Sequence, residues 1–310
     1  VRSRRQRQMC IRDSLKTVVL GIANDMGKEP TLQEVFDAKS YESVLEKTYP
    51  KEKNLVNEIA EFEAVLKKHD VEVLRPKDLV GVNQVFARDI AFVIENKFFV
   101  SNIIPDRLPE LEAIDFIEKN ISADQYIKIP EDVYVEGGDV LLWNDYIFVG
   151  TYLGDDFKQY KTARTNMQAV EFLRNHFPNK KVVAFDLHKS DEDPYKGILH
   201  LDCTFQPVGK DKAIIYKDGF RKEDEYQYLV ELFGEENLFH VTEEEMYWMT
   251  PNVFSISPTV VVSEKNFTRL NTHLQEKWGI EVEEINYREV SKMGGLLRCS
   301  TLPLYRIDEK

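Results

Sequence analysis

Apolar and polar positions follow two periods along this chain, and the two periods recur in a fixed order. Pairs of short runs of β-branched and aromatic residues, separated by a few polar residues, predict hairpins. After each hairpin come a stretch with apolar residues at helical spacing and then one more predicted strand. The clearest hairpin has Val85–Ile94 and Lys97–Ile103 on either side of Glu95-Asn96. Its helix is predicted at Arg107–Asn120 and its closing strand at Gln125–Ile129.

Three further copies of this unit come after it. They place hairpins at residues 133–152, 198–216 and 253–262, helices at 162–177, 222–233 and 265–278, and closing strands at 181–186, 238–241 and 281–285. An incomplete unit comes before it, with a strand at 17–23, a helix at 54–69 and a strand at 71–74. The chain ends in a strand without a predicted partner, at Leu297–Arg306.

A repeat of roughly 45–65 residues is typical of rings and arrays of one structural unit. The first unit lacks its leading strand, and in the simplest closure the last strand supplies it. Five ββαβ units then form a ring, which predicts an α/β fold of the five-bladed propeller type. Residues 15–310 are therefore expected to form a single domain.

The first fourteen residues, 1–14, do not share this pattern. They contain five arginines and no apolar run. A transit peptide would also be rich in Arg and Ser, but it would be amphipathic. We therefore interpret this segment as a disordered or non-native basic tail.

Composition narrows the class of ligand. The formal net charge of −13 disfavours nucleic acid and anionic membrane surfaces as partners, and it permits a small cationic substrate. No apolar run reaches the length of a membrane-spanning helix. The cysteines, Cys10, Cys203 and Cys299, form no CxxC pair and no metal-ligand spacing. A cytoplasmic protein without a disulfide, a metal or another cofactor is expected, and its oligomeric state is open.

Four polar sites stand out on the leading strands or near the C-terminus. They are Arg88-Asp89, Glu136-Gly137-Gly138-Asp139, His200-Leu201-Asp202 and Cys299. A ring of repeated units points its leading strands at one axis, so these sites are expected to meet. The alternation of side chains along a strand puts Cys203 on the apolar face, opposite His200, and turns Arg298 away from the face of Cys299.

Clustered carboxylates raise one another's pKa unless a cation relieves them, and a guanidinium matches carboxylates with its planar fork of N–H groups. A cysteine thiolate could attack the guanidino carbon, with His200 as general acid and base. An acidic pocket should also raise the pKa of Cys299, so its thiolate is expected to form when the cationic substrate arrives.

These motifs resemble those of the guanidino-group-modifying enzymes of the pentein fold, which include arginine deiminases, dimethylarginine dimethylaminohydrolases and glycine amidinotransferases. Ala163-Arg164-Thr165-Asn166 resembles a segment whose arginine holds the substrate carboxylate in the hydrolases. The resemblance implies a ring of five ββαβ units and a set of site residues. The catalytic ones are Cys299, His200 and Glu136, and the substrate-binding ones are Asp89, Asp202, Asp139 and Arg164.

The motifs do not agree on one reaction. Glu136–Asp139 and Arg164 are similar to the hydrolases, whereas His200–Phe205 and Trp248–Val253 are more similar to the amidinotransferases. We predict transfer of an amidino group to an amine through a covalent thiouronium, with hydrolysis of arginine or a methylated arginine as the alternative. A non-catalytic pentein-fold binding protein is the second alternative. Arg298 stands where many members of the family have a histidine.

Overall fold

The computed structural model describes residues 13–307. The strands predicted from the alternation of apolar and polar positions form five three-stranded sheets. The strands are β1 Ser14–Leu20, β2 Glu72–Leu74, β3 Ala91–Ile94, β4 Lys97–Val100, β5 Tyr126–Lys128, β6 Val140–Trp143, β7 Tyr146–Thr151, β8 Lys181–Asp186, β9 Phe205–Val208, β10 Lys212–Ile215, β11 Leu238–His240, β12 Phe254–Ser257, β13 Val260–Glu264, β14 Glu281–Ile285 and β15 Thr301–Ile307.

Every sheet has the same internal order. In four sheets a hairpin supplies two antiparallel strands, and in the remaining one β15 and β1 supply them. The strand after the helix pairs in parallel with the middle strand, as in β3-β4-β5 and β6-β7-β8. This confirms the α/β class and the repeated hairpin, helix and strand. The five sheets are separate, and no closed sheet occurs among residues 13–307. The five-bladed ring therefore stays a prediction.

The last strand completes the first sheet, as predicted. β15 runs antiparallel to β1, with Ser14 opposite Ile307 and Leu20 opposite Thr301, and β2 lies on the other side of β1. The predicted boundary of the basic tail was slightly too late, because Ser14 is already in the strand and Asp13 is buried. Residues 1–12, which hold Cys10 and the rest of that tail, lie outside the described residues.

The helices are α1 Ala38–Leu45, α2 Glu52–Lys68, α3 Ala87–Ile90, α4 Asp115–Glu118, α5 Met167–His176, α6 Glu223–Phe233, α7 Glu243–Tyr247, α8 Thr268–Glu276 and α9 Arg288–Ser291. The predictions for α2, α5, α6 and α8 are confirmed with shifted ends. Helix α1 lies in a stretch predicted as loop, and the Asp37 side chain caps it by accepting from the Ser40 amide.

The helix predicted at 107–120 was wrong for most of its length. Residues Pro105–Ile114 form a 3-10 helix with Pro109 inside it, and only α4 follows as α-helix. A proline removes one backbone donor and clashes with the preceding turn of an α-helix, which explains the tighter and irregular winding.

Three leading strands are shorter than predicted. A helical turn or a 3-10 turn precedes each of them, at Ala87–Ile90 before β3, at Gly137–Asp139 before β6 and at Leu201–Cys203 before β9. The turns are tightly packed: a Cβ on Gly137 would lie 2.1 Å from the Arg88 carbonyl oxygen. The candidate site residues thus lie on turns, so the alternation of strand faces does not apply to them.

The core consists of apolar side chains between the sheets and the surrounding helices. Phe62 and Leu66 of α2 and Phe148 and Phe205 of the strands are fully buried within it. Burying such side chains contributes about 1.5–3 kcal/mol each. Between residues 13 and 307, no helix has the length and apolar character needed to cross a membrane.

Candidate active site

The turns before β3, β6 and β9 bring three buried polar side chains together. His200 Nε2 lies 2.9 Å from Glu136 Oε2, and His200 Nδ1 lies 3.7 Å from Asp89 Oδ1. All three residues are at most 2% exposed. Their assembly at one place is what the sequence predicted, although through turns rather than strands.

Glycine makes this close approach possible. A Cβ on Gly138 would lie 2.6 Å from the imidazole ring of His200, and a Cβ on Gly150 would lie 2.3 Å from Asp139 Oδ1. Any larger residue at position 138 would therefore displace the histidine. The two glycines of Glu136-Gly137-Gly138-Asp139 are thus steric requirements of the site.

The charges around His200 keep it protonated. Burial alone lowers the pKa of a histidine, but the nearby carboxylates of Asp89, Asp139 and Glu136 raise the pKa of His200 to about 9. Burial raises the pKa of Glu136, yet Arg164 and His200 outweigh it and lower the pKa below its usual range. At neutral pH the pair is an imidazolium and a carboxylate.

Two internal arginines already contact these carboxylates. Arg107 Nη1 donates to Asp89 Oδ2 at 2.7 Å and lies 3.7 Å from Glu136 Oε2, and both of its other nitrogens bind Glu110. Arg164 Nη1 donates to both Glu136 oxygens at 2.9 Å. Arg107 was not predicted as a site residue. Residues 107–120 were assigned to a regular α-helix, and that assignment gave no indication of where the Arg107 side chain points.

Arg164 comes before α5 and is 2% exposed. Besides Glu136, it donates to the Phe36 carbonyl at 2.8 Å and to the Lys161 carbonyl. Its neighbour Thr165 donates to Asp139 Oδ2 at 2.6 Å, while the Leu201 amide donates to Asp139 Oδ1 at 2.8 Å. Arg164 and Asp139 therefore join the cluster, with side chains occupied by protein partners.

Cys299 lies in a turn just before β15, not within a strand, and its thiol is held by an asparagine. Asn252 Nδ2 donates to Cys299 Sγ at 3.2 Å, and Asn252 Oδ1 accepts from the amides of Arg298 and Cys299 at 3.0 and 3.2 Å. Sequence reasoning missed Asn252. Its only signal was the similarity of the stretch Trp248–Val253 to the amidinotransferases.

Asp202 is the carboxylate beside the thiol. Cys299 Sγ lies 3.9 Å from Asp202 Oδ2, which also accepts from Arg298 Nη1 at 2.5 Å. The prediction that Arg298 points away from the site was wrong, because the backbone here is a turn and does not alternate. Cys203 is buried as predicted, but its thiol lies 3.6 Å from Asp202 Oδ1 and contacts the thiol of Cys299.

The site thus has two halves. One contains His200, Glu136 and Asp89, and the other contains Cys299 and Asp202. Among residues 13–307, no hydrogen bond joins Cys299 directly to His200. The halves are linked through the backbone between His200 and Asp202 and through Arg298, whose Nη1 also reaches the Gly138 carbonyl at 3.5 Å.

Ligand atoms of Asp89, Glu136 and His200 lie within 4.8 Å of one another, which is a spacing that can hold a metal ion. Arg164 and Arg107 already supply positive charge to two of these three residues. A divalent cation there would face repulsion from both guanidinium groups, so the arrangement fits an internal ion-pair network better than a metal site.

A cavity of about 870 Å³ opens beside the cluster. Phe36 is part of its wall, and the ring of Phe36 lies 5.6 Å from the Arg164 guanidinium and 5.8 Å from that of Arg107. The wall also contains charged residues of both signs, among them Lys28, Glu29, Glu34, Lys47, Lys51 and Glu52, together with apolar residues such as Met26, Val35 and Met293. Phe36 therefore lies between this cavity of mixed polarity and the buried arginines of the cluster.

Comparison with known proteins identifies the family. A sequence model described as N,N dimethylarginine dimethylhydrolase, eukaryotic, matches residues 33–306. The chain belongs to this family. The uncharacterized protein YkgA of Bacillus subtilis is 31% identical over 245 residues, which cover 78% of this chain and 77% of YkgA.

Two further similarities are to enzymes that catalyse different reactions. An arginine deiminase of Mycoplasma capricolum is 28% identical over 209 residues, and the aligned part covers 56% of this chain but only 47% of that enzyme. The amidinotransferase SxtG of Microseira wollei, from saxitoxin biosynthesis, has the same fold, with a TM-score of 0.74 at 17% identity over 97% of both chains. The dimethylarginine dimethylhydrolase family member described here is thus part of the guanidino-modifying pentein superfamily, as its motifs indicated.

Proposed function

We propose that this chain is a cysteine-dependent enzyme that acts on the guanidino carbon of arginine or a related guanidine. The observation that carries the proposal is the placement of the Cys299 thiol 3.9 Å from the Asp202 carboxylate, with the protonated His200–Glu136 pair on the adjoining turn. A guanidinium bound to Asp202 would lie beside the nucleophilic sulfur.

The internal arginines support the binding roles. Asp202 and Asp89 each accept a guanidinium N–H from an internal arginine, Arg298 and Arg107 respectively, which supports their proposed role as guanidinium acceptors. Asp89 Oδ1 has no hydrogen-bond partner among the described residues, although it is buried, so one acceptor is left for a substrate nitrogen. A substrate guanidinium at Asp202 would have to displace Arg298 or share the carboxylate with it.

Each step then has a group to perform it. The Cys299 thiolate forms a bond to the guanidino carbon, and His200 donates its proton to the amine whose C–N bond breaks. Glu136 keeps His200 protonated until that point. A thiouronium-type adduct remains on Cys299. A second nucleophile gives a proton to the now neutral His200 and bonds to the carbon of the adduct, and the C–S bond then breaks to restore the Cys299 thiolate. We assign Asp139 to fixing the turn that carries His200, and Arg164 to the substrate carboxylate at the wall formed by Phe36.

Water is the acceptor that we propose first. Support comes from the matched hydrolase family and from the arginine deiminase relative. Amidino transfer to an amine is the second candidate, favoured by the stretch His200–Phe205. The mixed charges of the 870 Å³ cavity suit the α-amino and carboxylate groups of an amino acid, so we propose it as the entrance.

The finer architecture belongs to the same proposal. We infer that the five sheets form a ring of five blades, that residues 15–310 act as one catalytic domain, and that the protein is cytoplasmic. In such a ring, the turns that precede β3, β6 and β9 would all lie close to the central axis. A non-catalytic role is less well supported, because the full set of cysteine, histidine and carboxylates is retained.

Product analysis tests the proposal. The protein is incubated with arginine and, separately, with Nω,Nω-dimethylarginine, each with and without glycine. Citrulline with ammonia or dimethylamine, formed at the same rate without glycine, supports hydrolysis. Ornithine that depends on glycine, together with a new guanidino product, supports transfer. If none of these products forms from arginine, dimethylarginine or simple guanidines, the proposed function is wrong.

A further inference from the structure

A second cavity, of about 60 Å³, is lined by residues from the first strands of all five sheets. The five strands β3, β6, β9, β12 and β15 each contribute to its wall, through Phe92, Val140, Gln206, Ser255 and Pro303 among others. It shares no lining residue with the 870 Å³ cavity. Three arginines complete its wall: Arg88, Arg298 and Arg306.

These arginines are buried, with at most 8% of each side chain exposed. Arg298 is paired with Asp202, and Arg306 donates to the carbonyls of Asp13 and Ser255. Arg88 differs from Arg298 because it has only neutral acceptors. It donates to the Arg298 carbonyl at 3.3 Å and to Thr301 Oγ1 at 3.1 Å, and no carboxylate within residues 13–307 lies within 4.0 Å of it.

A buried guanidinium without a counter-ion is costly. Burial lowers the pKa of Arg88, and the positive charge of Arg298 lowers it further. Asp202 acts in the opposite direction, but it is already paired with Arg298, and arginine stays charged in proteins, so Arg88 has no counter-ion of its own. The cavity that Arg88 lines offers a place for such a counter-ion.

Neutral groups in the same wall also lack partners. The Ser255 hydroxyl and Gln206 Oε1 are buried and have no hydrogen-bond partner within the described part of the chain. The hydroxyl can donate to an anion. Gln206 Oε1 needs a donor, which a water molecule next to that anion would supply.

We propose that this cavity is a binding site for one small inorganic anion of the size of chloride, held by Arg88 and Ser255 with a water molecule at Gln206. A site for one water needs only about 10–15 Å³ of cavity volume, so this cavity has room for a monatomic anion together with a water molecule. The site neutralises the charge that the ion pair of Arg298 and Asp202 leaves on Arg88. It does not depend on the proposed catalytic function.

Thermal unfolding of the full chain provides the first test. The melting temperature is measured at constant pH and ionic strength while sodium gluconate is replaced by sodium chloride. A ligand that binds only the folded state stabilises it, so a saturable rise with chloride is expected. Ser255→Ala should raise the half-saturating chloride concentration, and Arg88→Met should raise it at least about tenfold. Arg269→Met, which removes an exposed arginine, is the matched control and should leave it unchanged.

Diffraction provides the second test, which does not depend on the stability of any variant. Crystals of the wild-type protein grown in sodium bromide should show an anomalous peak in this cavity next to Arg88 and Ser255. Identical melting curves in chloride and gluconate, or bromide peaks only elsewhere on the protein, would overturn the proposal. Product formation from arginine is recorded separately, so loss of the catalytic proposal would leave this one standing.

Discussion

Arg298 places its guanidinium 2.5 Å from the carboxylate of Asp202, and the next residue in the chain is Cys299. The candidate nucleophile is thus coupled through one peptide bond to an arginine that occupies a carboxylate suited to a guanidine substrate. Arg298 is both a structural counter-ion and, if the proposed function holds, a competitor of the substrate.

This coupling gives opposite predictions for stability and binding in Arg298→Met. Leaving Asp202 buried without its partner should lower the free energy of unfolding by about 3–5 kcal/mol. The same change should strengthen binding of a guanidinium ligand, because the internal competitor is gone. Urea unfolding and calorimetric titration with arginine check the two effects. Arg269→Met, which breaks an exposed pair with Glu245, should cost at most about 1 kcal/mol. Weaker arginine binding in Arg298→Met would contradict the competitor role.

The two neighbouring thiols should differ in their effect on turnover. Cys299→Ala removes the proposed nucleophile and should lower kcat by about 10³-fold or more, with the fold retained by circular dichroism. Cys203→Ala removes the thiol on the other oxygen of Asp202 and should keep measurable activity. The comparison is made by product formation at saturating substrate. Near-normal activity in Cys299→Ala would exclude the covalent mechanism.

Protonation of His200 should stabilise the fold over a defined pH range. Its pKa is raised from 6.5 in the unfolded chain to about 9 in the folded protein. The folded state therefore binds the proton more tightly, so the stabilisation is complete below about pH 6.5 and is lost as pH rises through about 9.

The measurement is the free energy of unfolding of wild type minus that of His200→Gln, from urea titrations between pH 5.5 and 9.5. This difference should fall across the window with a slope of up to about 1.4 kcal/mol per pH unit. His200→Gln should also suppress turnover. A difference that is constant with pH would mean that the charge of His200 is the same in both states.

Gly138→Ala should impair catalysis through His200, because its Cβ would lie 2.6 Å from the imidazole. Displacing the ring should break its 2.9 Å contact with Glu136 and lower kcat by about 100-fold. Gly279→Ala is a suitable control, since its φ of +64° strains an alanine but no atom lies within 4 Å of the added Cβ. It should lose about 1 kcal/mol of stability and no activity. Equal activity losses in both variants would argue against a steric effect on the histidine.

The repeat was predictable from sequence because strand and helix periods are local signals. The closing strands at Lys181–Asp186 and Glu281–Ile285 have the predicted bounds, and the last strand joins the first sheet as expected. Helix α1 was missed because the face that it buries is mostly polar, with Lys39, Ser40 and Ser43, and because its start depends on the cap by Asp37. The helix at 107–120 failed because Pro109 falls inside an otherwise helical spacing.

Site residues were predictable as a set but not in their contacts. Asp89, Glu136 and His200 meet as expected, since each precedes a first strand. The roles of Asn252 and Arg298 could not be predicted in the same way. Asn252 reaches Cys299 across 47 residues of sequence, and Arg298 reaches Asp202 across 96, so only the folded chain brings them into contact. Period-two reasoning failed at Arg298, because a turn replaces the strand there, whereas Cys203 is a buried core residue as predicted.

The pairing of β1 with β15 sets a limit on when the protein becomes functional during its synthesis. The sheet that contains residues 14–20 is complete only after residues 301–307 have been synthesised and have paired with them. Cys299 lies two residues before this last strand. A nascent chain on the ribosome would thus expose one edge of β1 until translation has passed residue 307. Closing so long a loop is entropically unfavourable and slow, so the step that completes the first sheet is expected to be the last in folding, and it is also the step that positions the thiol.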